Sequence, residues 1–301
     1  LLEVNAAAAM FFHRFLLEMP IAKAAREYLQ NRGVSAGSIQ EWQIGFIPDQ
    51  WDLLTQYLLK KGFGLNDLVK SGLTIQREGA DSKTGRGFYD RFRGRIMFPI
   101  LDTHGSVVGF TGRVLVETES SGGKYVNTPQ TPLYDKSRIL YGLYNAKSEI
   151  KNKNLAVLVE GQMDVIACHA AGMRNVVAAS GTALTENQVK LIKRYTENIS
   201  FGFDADSAGE SAGMRGIDAA LLAGLHVRVI TVPPGSGKDA DEIIKTNSAV
   251  WFSAVEQARD ILDWYVAKVL KQYNLAEPRQ KQQAAEVLLR NTPRPTRDDI
   301  K

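Results

Sequence analysis

The chain is nearly without cysteine. Cys168 is the one thiol among 301 residues, which excludes an internal disulfide and a cysteine zinc site within this stretch. Histidine is also scarce. His13, His104, His169 and His226 show neither HxxxH nor HExxH spacing, so a histidine metal site or a catalytic triad has no support. Long apolar runs are missing: none approaches the ~18 residues of a membrane span. The opening LLEVNAAAAMFFHRFLLEM comes nearest. Glu3, His13, Arg14 and Glu18 interrupt it, and no small-residue cleavage pattern follows, so it does not read as a secretory leader. An initiator Met is absent, and we expect a fragment of a longer protein. No internal repeat, low-complexity tract or coiled-coil heptad appears. The expectation is a cytoplasmic protein with no membrane partner and a monomeric core.

The length allows two or three domains with a sizeable core. Net charge is a modest +4. Its distribution says more: residues 83–138 hold nine Lys/Arg against five Asp/Glu, whereas 155–245 hold eight against eleven. A basic segment beside an acidic one suggests an anionic polymer and metal ions sharing one cleft.

Residues 5–19 read as a helix capped by Asn5, with Phe12, Phe15, Leu16 and Met19 on one face. Pro20 opens a second helix that Gly33 ends, Ser35 starts a third, and IGFIPDQ is a loop. Helices over 51–62 and 65–72 complete a helical layer, and REGADSKTGRG is a loop or hairpin tip. YDRFRGRIMFPI and LDTHGSVVGFTGRVL form a hairpin turning at Asp102 to Gly105. Arg91, Arg93 and Arg95 are spaced by two, which on a strand aims three guanidiniums to one face, with Phe92 and Gly94 on the other. Such a face suits phosphate. ETESSGG is a connector. The stretch from Lys124 to Lys147 carries prolines, tyrosines and four cations with little periodicity, and reads as a long loop contacting nucleic acid or nucleotide.

From 155 the pattern becomes regular. Strands at 155–160, 174–179, 199–203 and 226–232 alternate with helices, one of them capped by Thr185, which predicts a parallel sheet. After 248 the chain reads as helical, with Trp251, Val255, Ile261, Trp264, Tyr265 and Val269 as a packing stripe. The strands at 155–160 and 199–203 run into Glu160 and into Asp204 and Asp206, and the last leads to Asp239 and Asp241. Ligands bind at that edge of an open α/β sheet. Two aspartates so close repel unless a cation lies between them, and oxygen-only ligands argue for Mg²⁺ or Mn²⁺ rather than zinc. GSGKD at 235–239 looks like the end of a P-loop but fails the motif, because position 232 is Val and 239 is Asp.

The order EG…DxDxxG…DxD resembles the TOPRIM domain of topoisomerases, primases and some nucleases. YDRFRGRIMFPI, GFTGR, KYVNTPQTPLYDK, LYGLYNA, EGQMDVIA, GTALT and FDADSAG together resemble the RNA-polymerase core of bacterial DnaG-type primases, as do AREYLQNRGVS and IGFIPD. The likeness covers nearly the whole chain. It departs at Gln162, where Tyr is common, at GFTGR in place of GFGGR or GFSGR, and at FDADSAG in place of FDGD. The resemblance implies an α/β fold in three parts. These are a mixed α+β basic lobe over 1–150, a TOPRIM parallel-sheet subdomain over 151–247 and a C-terminal helical bundle over 248–301. It implies that Glu160, Asp204, Asp206, Asp239 and Asp241 are metal ligands and catalytic, joined in catalysis by Asp164. Arg91, Arg93, Arg95, Arg113, Lys124, Tyr125, Asn127 and Lys136 would contact nucleotide or nucleic acid. The implied activity is RNA primer synthesis for DNA replication from ribonucleoside triphosphates on single-stranded DNA, through an RNA–DNA hybrid. A replicative helicase would bind through a further C-terminal domain, and the protein would work at the replication fork. A TOPRIM-type nuclease and a non-catalytic single-strand-binding module are the alternatives.

Overall fold

The computed structural model describes residues 1–82, 84–118, 122–181, 183–202 and 207–291. It forms two compact units, Leu1–Asn145 and Ala146–Lys301. Among the described residues no helix is long and apolar enough to cross a membrane.

The first unit opens with α1, Leu2–Glu18. It starts earlier than Asn5 predicted, so Asn5 is no cap: it is fully buried inside the helix. A short 3₁₀ turn at Pro20–Ala22 leads into α2, Lys23–Asn31. Then comes α3, Ala36–Glu41, whose Ser35 cap is as expected, its Oγ accepting from Ser38 N at 3.0 Å. IGFIPDQ is not all loop, because Gly45–Ile47 forms β1. Helices α4, Leu53–Lys60, and α5, Leu65–Lys70, follow. The polar 77–87 stretch is a hairpin tip between β2, Thr74–Asp81, and β3, Arg86–Asp90.

β4, Arg95–Leu101, β5, Val107–Val114, and β6, Tyr125–Asn127, join β1 in an antiparallel sheet of order β1-β4-β5-β6. The turn at 102–105 is built by Asp102, whose Oδ1 accepts from His104 N at 2.8 Å and Ser106 N at 2.9 Å. Val4, Ala8 and Phe12 of α1 pack with Leu54, Leu58, Leu68, Met97 and Phe110 in one core. Buried Asp90 fastens the edge of that core. Its Oδ2 accepts from Leu54 N at 2.7 Å, and its Oδ1 from Thr55 N at 2.9 Å and Thr55 Oγ1 at 2.7 Å. Burial nevertheless pushes its carboxyl up to about 6.

α6, Leu143–Lys153, leads from one unit to the next. The second unit alternates strands and helices as the sequence predicts. β7 is Ala156–Val159, α7 Gln162–Ala170, β8 Val176–Ala178 and α8 Glu186–Lys193. β9 is Asn198–Phe201, α9 Ser207–Leu222, β10 His226–Val229 and α10 Ala240–Glu256. Thr185 caps α8 in a reciprocal box with Gln188. β8, β7, β9 and β10 pair in parallel. A two-residue strand β11, Arg259–Asp260, extends the sheet antiparallel to β10, where an unbroken helical segment was expected. α10 runs across position 247, with non-helical angles at Asn247. α11, Ile261–Gln272, and α12, Pro278–Asn291, complete the unit. Trp251, Val255, Ile261, Tyr265 and Val269 are buried, as a packing stripe should be, whereas Trp264 of the expected stripe is only half-buried.

Candidate metal centre and nucleic-acid contacts

β7 ends at Val159 and delivers Glu160, half-buried, to the C-terminal edge of the parallel sheet. Gly161 then caps α7. Asp164, in the first turn, folds back so that its Oδ2 accepts from Gly161 N at 3.0 Å. Its other oxygen accepts from Asp241 N at 3.0 Å. One buried carboxylate thus fastens the N-termini of α7 and α10 together, where the helix dipoles favour negative charge.

Asp239 caps α10 through Glu242 N at 2.8 Å, and the Glu242 side chain in turn accepts from Lys238 N at 2.8 Å. Asp241 is buried and pairs with Lys245 Nζ at 2.6 Å, an i,i+4 contact. Burial first, and then the nearby charge of Asp239, pushes the Asp164 carboxyl up to about 7, against the two backbone N–H groups that pull it down.

A shallow pocket gathers the result. Its lining includes Glu160, Asp164, Gly202, Lys238, Asp239 and Trp251. Gly202 continues β9 there. A Cβ at Gly202 would lie 2.7 Å from the Trp251 indole, so the strand passes the ring only as glycine. Asp204 and Asp206 follow in sequence but lie outside the described residues. Of the predicted acids, the fold therefore brings Glu160, Asp164 and Asp239 to one pocket. Asp241 stands beside them with its carboxylate engaged by Lys245. Among the described residues no three such groups suffice to hold an ion. The chemistry of those present nevertheless fits a hard divalent cation. The donors are oxygens alone, Glu160 and Asp239 are only partly covered, and the negative charge of Asp239 already raises Asp164.

The arginines of the first unit behave differently from expectation. β4 begins at Arg95, and residues 91–94 are not strand. Gly94 sits at φ +61°, a left-handed conformation that breaks the alternation. The three guanidiniums accordingly diverge. Arg91 Nε donates to Gly72 O at 2.6 Å. Arg95 is buried and donates from Nη1 to Gly112 O at 3.0 Å and Gly123 O at 3.1 Å, tying the connector to β5. Arg93 lies 4.8 Å from the Trp51 ring and 5.6 Å from that of Tyr89. The common face for phosphate is corrected: Arg93 alone reaches the aromatic surface, and Phe92 enters the core.

That surface carries a cluster the sequence reading missed. Trp51 and Tyr89 stack at 4.6 Å, and Arg77 lies within 4.8 Å of the former and 5.1 Å of the latter. The cluster draws on three separate stretches, at 51, at 77 and at 89–93, so no local pattern announces it. Arg113 lies 4.4 Å from Tyr28 and 5.9 Å from Tyr125, its cross-strand partner. Asn127 accepts from Thr111 Oγ1 at 2.6 Å, Lys124 is exposed, and Lys136 opens a 3₁₀ turn. The 124–147 stretch is thus partly strand, through β6. In the second unit, Lys238, Lys245 and Trp251 were overlooked as site residues. The i,i+4 spacing of Asp241 and Lys245 was the signal available for one of them.

Comparison with known proteins agrees with both units. The profile of the DNA primase catalytic core N-terminal domain matches residues 11–147, and a Toprim-like profile matches 157–244. A DNA primase of Halalkalibacterium halodurans is 41% identical over 252 residues, covering 84% of this chain and 40% of that protein. The chain spans less than half the length of the curated relatives it matches. The RNA polymerase domain of Mycobacterium tuberculosis primase DnaG superposes with a TM-score of 0.84 at 31% identity, covering 99% of this chain and 95% of that one. A DnaG primase catalytic domain bound to ssDNA gives 0.79 at 31%, covering 97% and 93%. From its sheet-edge carboxylates to its N-terminal lobe, this chain belongs to the bacterial DnaG-type primase family, within the catalytic core that carries the TOPRIM domain.

Proposed function

We propose that this chain synthesises short RNA primers for DNA replication, transferring nucleotides from ribonucleoside triphosphates on a single-stranded DNA template. The observation that carries the reading is the convergence of Glu160, Asp164 and Asp239 on one pocket at the C-terminal edge of a parallel sheet. Asp204 and Asp206 are assigned to the same centre by their place after β9. In the reaction the primer 3′-oxygen bonds to the α-phosphorus and the bond to the β-phosphate breaks. The electron pair leaves on pyrophosphate and the hydroxyl proton passes to solvent. Mg²⁺, when bound, would supply Lewis acidity toward the 3′-hydroxyl and the phosphates. Glu160, Asp204, Asp206 and Asp239 would hold it.

Asp164 and Asp241 act more indirectly in this reading. Asp164 fixes the α7 and α10 N-termini, and Lys245 neutralises Asp241, so the half-exposed acids are held on rigid helix ends. The relative whose catalytic domain is bound to ssDNA supports a template role for the basic surface. Arg93, Arg113, Lys124, Tyr125 and Lys136 are assigned to template backbone, hybrid and bases, since cations beside aromatic rings bind single strands with little sequence preference. Arg91 and Arg95 shape that surface from within. We place the protein at the cytoplasmic replication fork, recruited by a replicative helicase through sequence outside this chain.

The test is extension of a primed template with labelled ribonucleotides and Mg²⁺. RNA product supports the reading. Shortened DNA without RNA would make it a nuclease, and DNA binding with neither product would make it a binding module.

A further inference from the structure

We infer that Lys238 contacts the β- and γ-phosphates of the incoming ribonucleotide and holds the pyrophosphate as it leaves, an inference that rests on the primase reading above. The GSGKD segment failed as a P-loop, yet the fold sets its lysine on the lining of the carboxylate pocket. Two lysines belong to this part of the chain, and they differ. Lys245 is committed to buried Asp241 at 2.6 Å. Lys238 is exposed, and among the described residues its ammonium has no ion-pair partner, although Glu160, Asp164 and Asp239 line the same pocket.

The backbone under Lys238 is fixed on both sides. Its own N–H donates to Glu242 Oε2 at 2.8 Å, and the next residue, Asp239, caps α10. Before it, a turn is closed by Ser236 Oγ donating to Pro233 O at 2.8 Å. The result is a cation on a short, anchored turn adjoining a candidate metal ligand.

The chemistry of the substrate explains why a cation belongs there. Every other charged described residue lining the pocket is acidic, so the phosphates of a bound triphosphate meet repulsion wherever the metal does not shield them. As the α–β bond breaks, further negative charge gathers on the departing pyrophosphate. A flexible ammonium follows that charge as a point donor, the way lysines serve phosphate sites generally. Lys238 is the described pocket residue able to do this. It is a substrate-contacting residue, whereas Lys245 is a positioning one.

The experiment compares the unsubstituted chain with Lys238→Ala, Lys238→Gln and Lys238→Arg. Two readouts need no turnover by the variants: equilibrium binding of a non-hydrolysable α,β-linked ribonucleotide in Mg²⁺, and its displacement by inorganic pyrophosphate. Removing one charge-assisted contact should weaken both about tenfold in the Ala and Gln variants. In primer extension the nucleotide KM should rise by a similar factor. The Arg variant should stay close to the unsubstituted protein, and affinity for single-stranded template should hold in all three. Unchanged pyrophosphate displacement in Lys238→Ala and Lys238→Gln overturns the inference. So does a loss of template affinity as large as the loss for nucleotide. If the unsubstituted chain extends a primer and binds nucleotide but the variants match it, the inference alone falls. If it does neither, the primase reading fails and takes the inference with it.

Discussion

Asp164 and Asp241 stand 77 residues apart and are joined by a hydrogen bond. Arg91, Arg93 and Arg95 lie within one five-residue stretch and end on three different sets of partners. The two regions differ in what fixes side-chain direction. In the second unit, sheet topology sets it: parallel strands lead into helices that start at the same edge, so the first turns of α7 and α10 meet there whatever the distance in sequence. In the first, direction depends on the local backbone: residues 91–94 are not strand, Gly94 sits at φ +61°, and the three side chains scatter. Chemistry assembled by topology therefore tolerates local irregularity, whereas chemistry inferred from alternation does not.

The largest effect should come from the centre itself. Asp204→Ala or Glu160→Ala should lower primer extension by on the order of a thousandfold, because several kcal/mol of charge stabilisation are lost. Circular dichroism and single-strand binding should stay near those of the unsubstituted chain. Normal extension by Asp204→Ala would break the topological half of the comparison.

Next comes the engaged pair. Lys245→Met removes the cation beside the buried Asp241 carboxylate and should cost ~2–3 kcal/mol in urea unfolding, below the usual figure for a buried pair because Lys245 is partly exposed. Lys245→Arg should recover most of it. If Lys245→Met leaves stability unchanged, Asp241 is not held as described.

Asp90 tests local anchoring in the first unit. Asp90→Ala leaves two α4 N–H groups without their acceptor and should cost ~2 kcal/mol. The pH dependence has a definite sign. With its carboxyl raised from 3.8 to about 6, the folded chain binds more protons than the unfolded chain between those values. Its contribution to stability therefore falls as pH rises through that window. Asp90→Asn should flatten that slope, and an unaltered slope would assign it elsewhere.

The smallest effect separates the arginines from one another. Arg93→Ala should weaken single-strand binding severalfold and reduce the salt slope by about one, with little change in stability. Arg95→Ala should do the reverse, lowering the melting temperature through two orphaned carbonyls. Equal binding losses would restore the common face that the structure denies.

These contrasts mark how far the residues announce the fold. The alternation of strand and helix from 155 onward, the caps at Ser35 and Thr185 and the turn at Asp102 follow from local chemistry and were legible. Glu160 was legible as a strand-end residue, whereas Asp239 and Asp241 prove to be the cap and first turn of α10 rather than the end of β10. Their separate duties were not, because burial and the Lys245 contact arise only once α10 docks beside α7. β11 escaped notice because two residues carry no period, and the Asn5 cap failed because α1 extends back to Leu2. The Trp51, Tyr89, Arg77 and Arg93 cluster was invisible for a similar reason, since its members come from separate segments.

The approach of Trp251 to Gly202 has an optical consequence. The chain holds four tryptophans, and the indole of Trp251 lines the carboxylate pocket from a buried seat. Trp42 and Trp51 belong to the other unit, and Trp264 is absent from that lining. The pocket thus contains its own fluorophore, pressed against the strand that leads to Asp204. Filling of the pocket can be followed by intrinsic emission without a label, and Trp251→Phe would silence that signal while keeping an aromatic ring over the glycine.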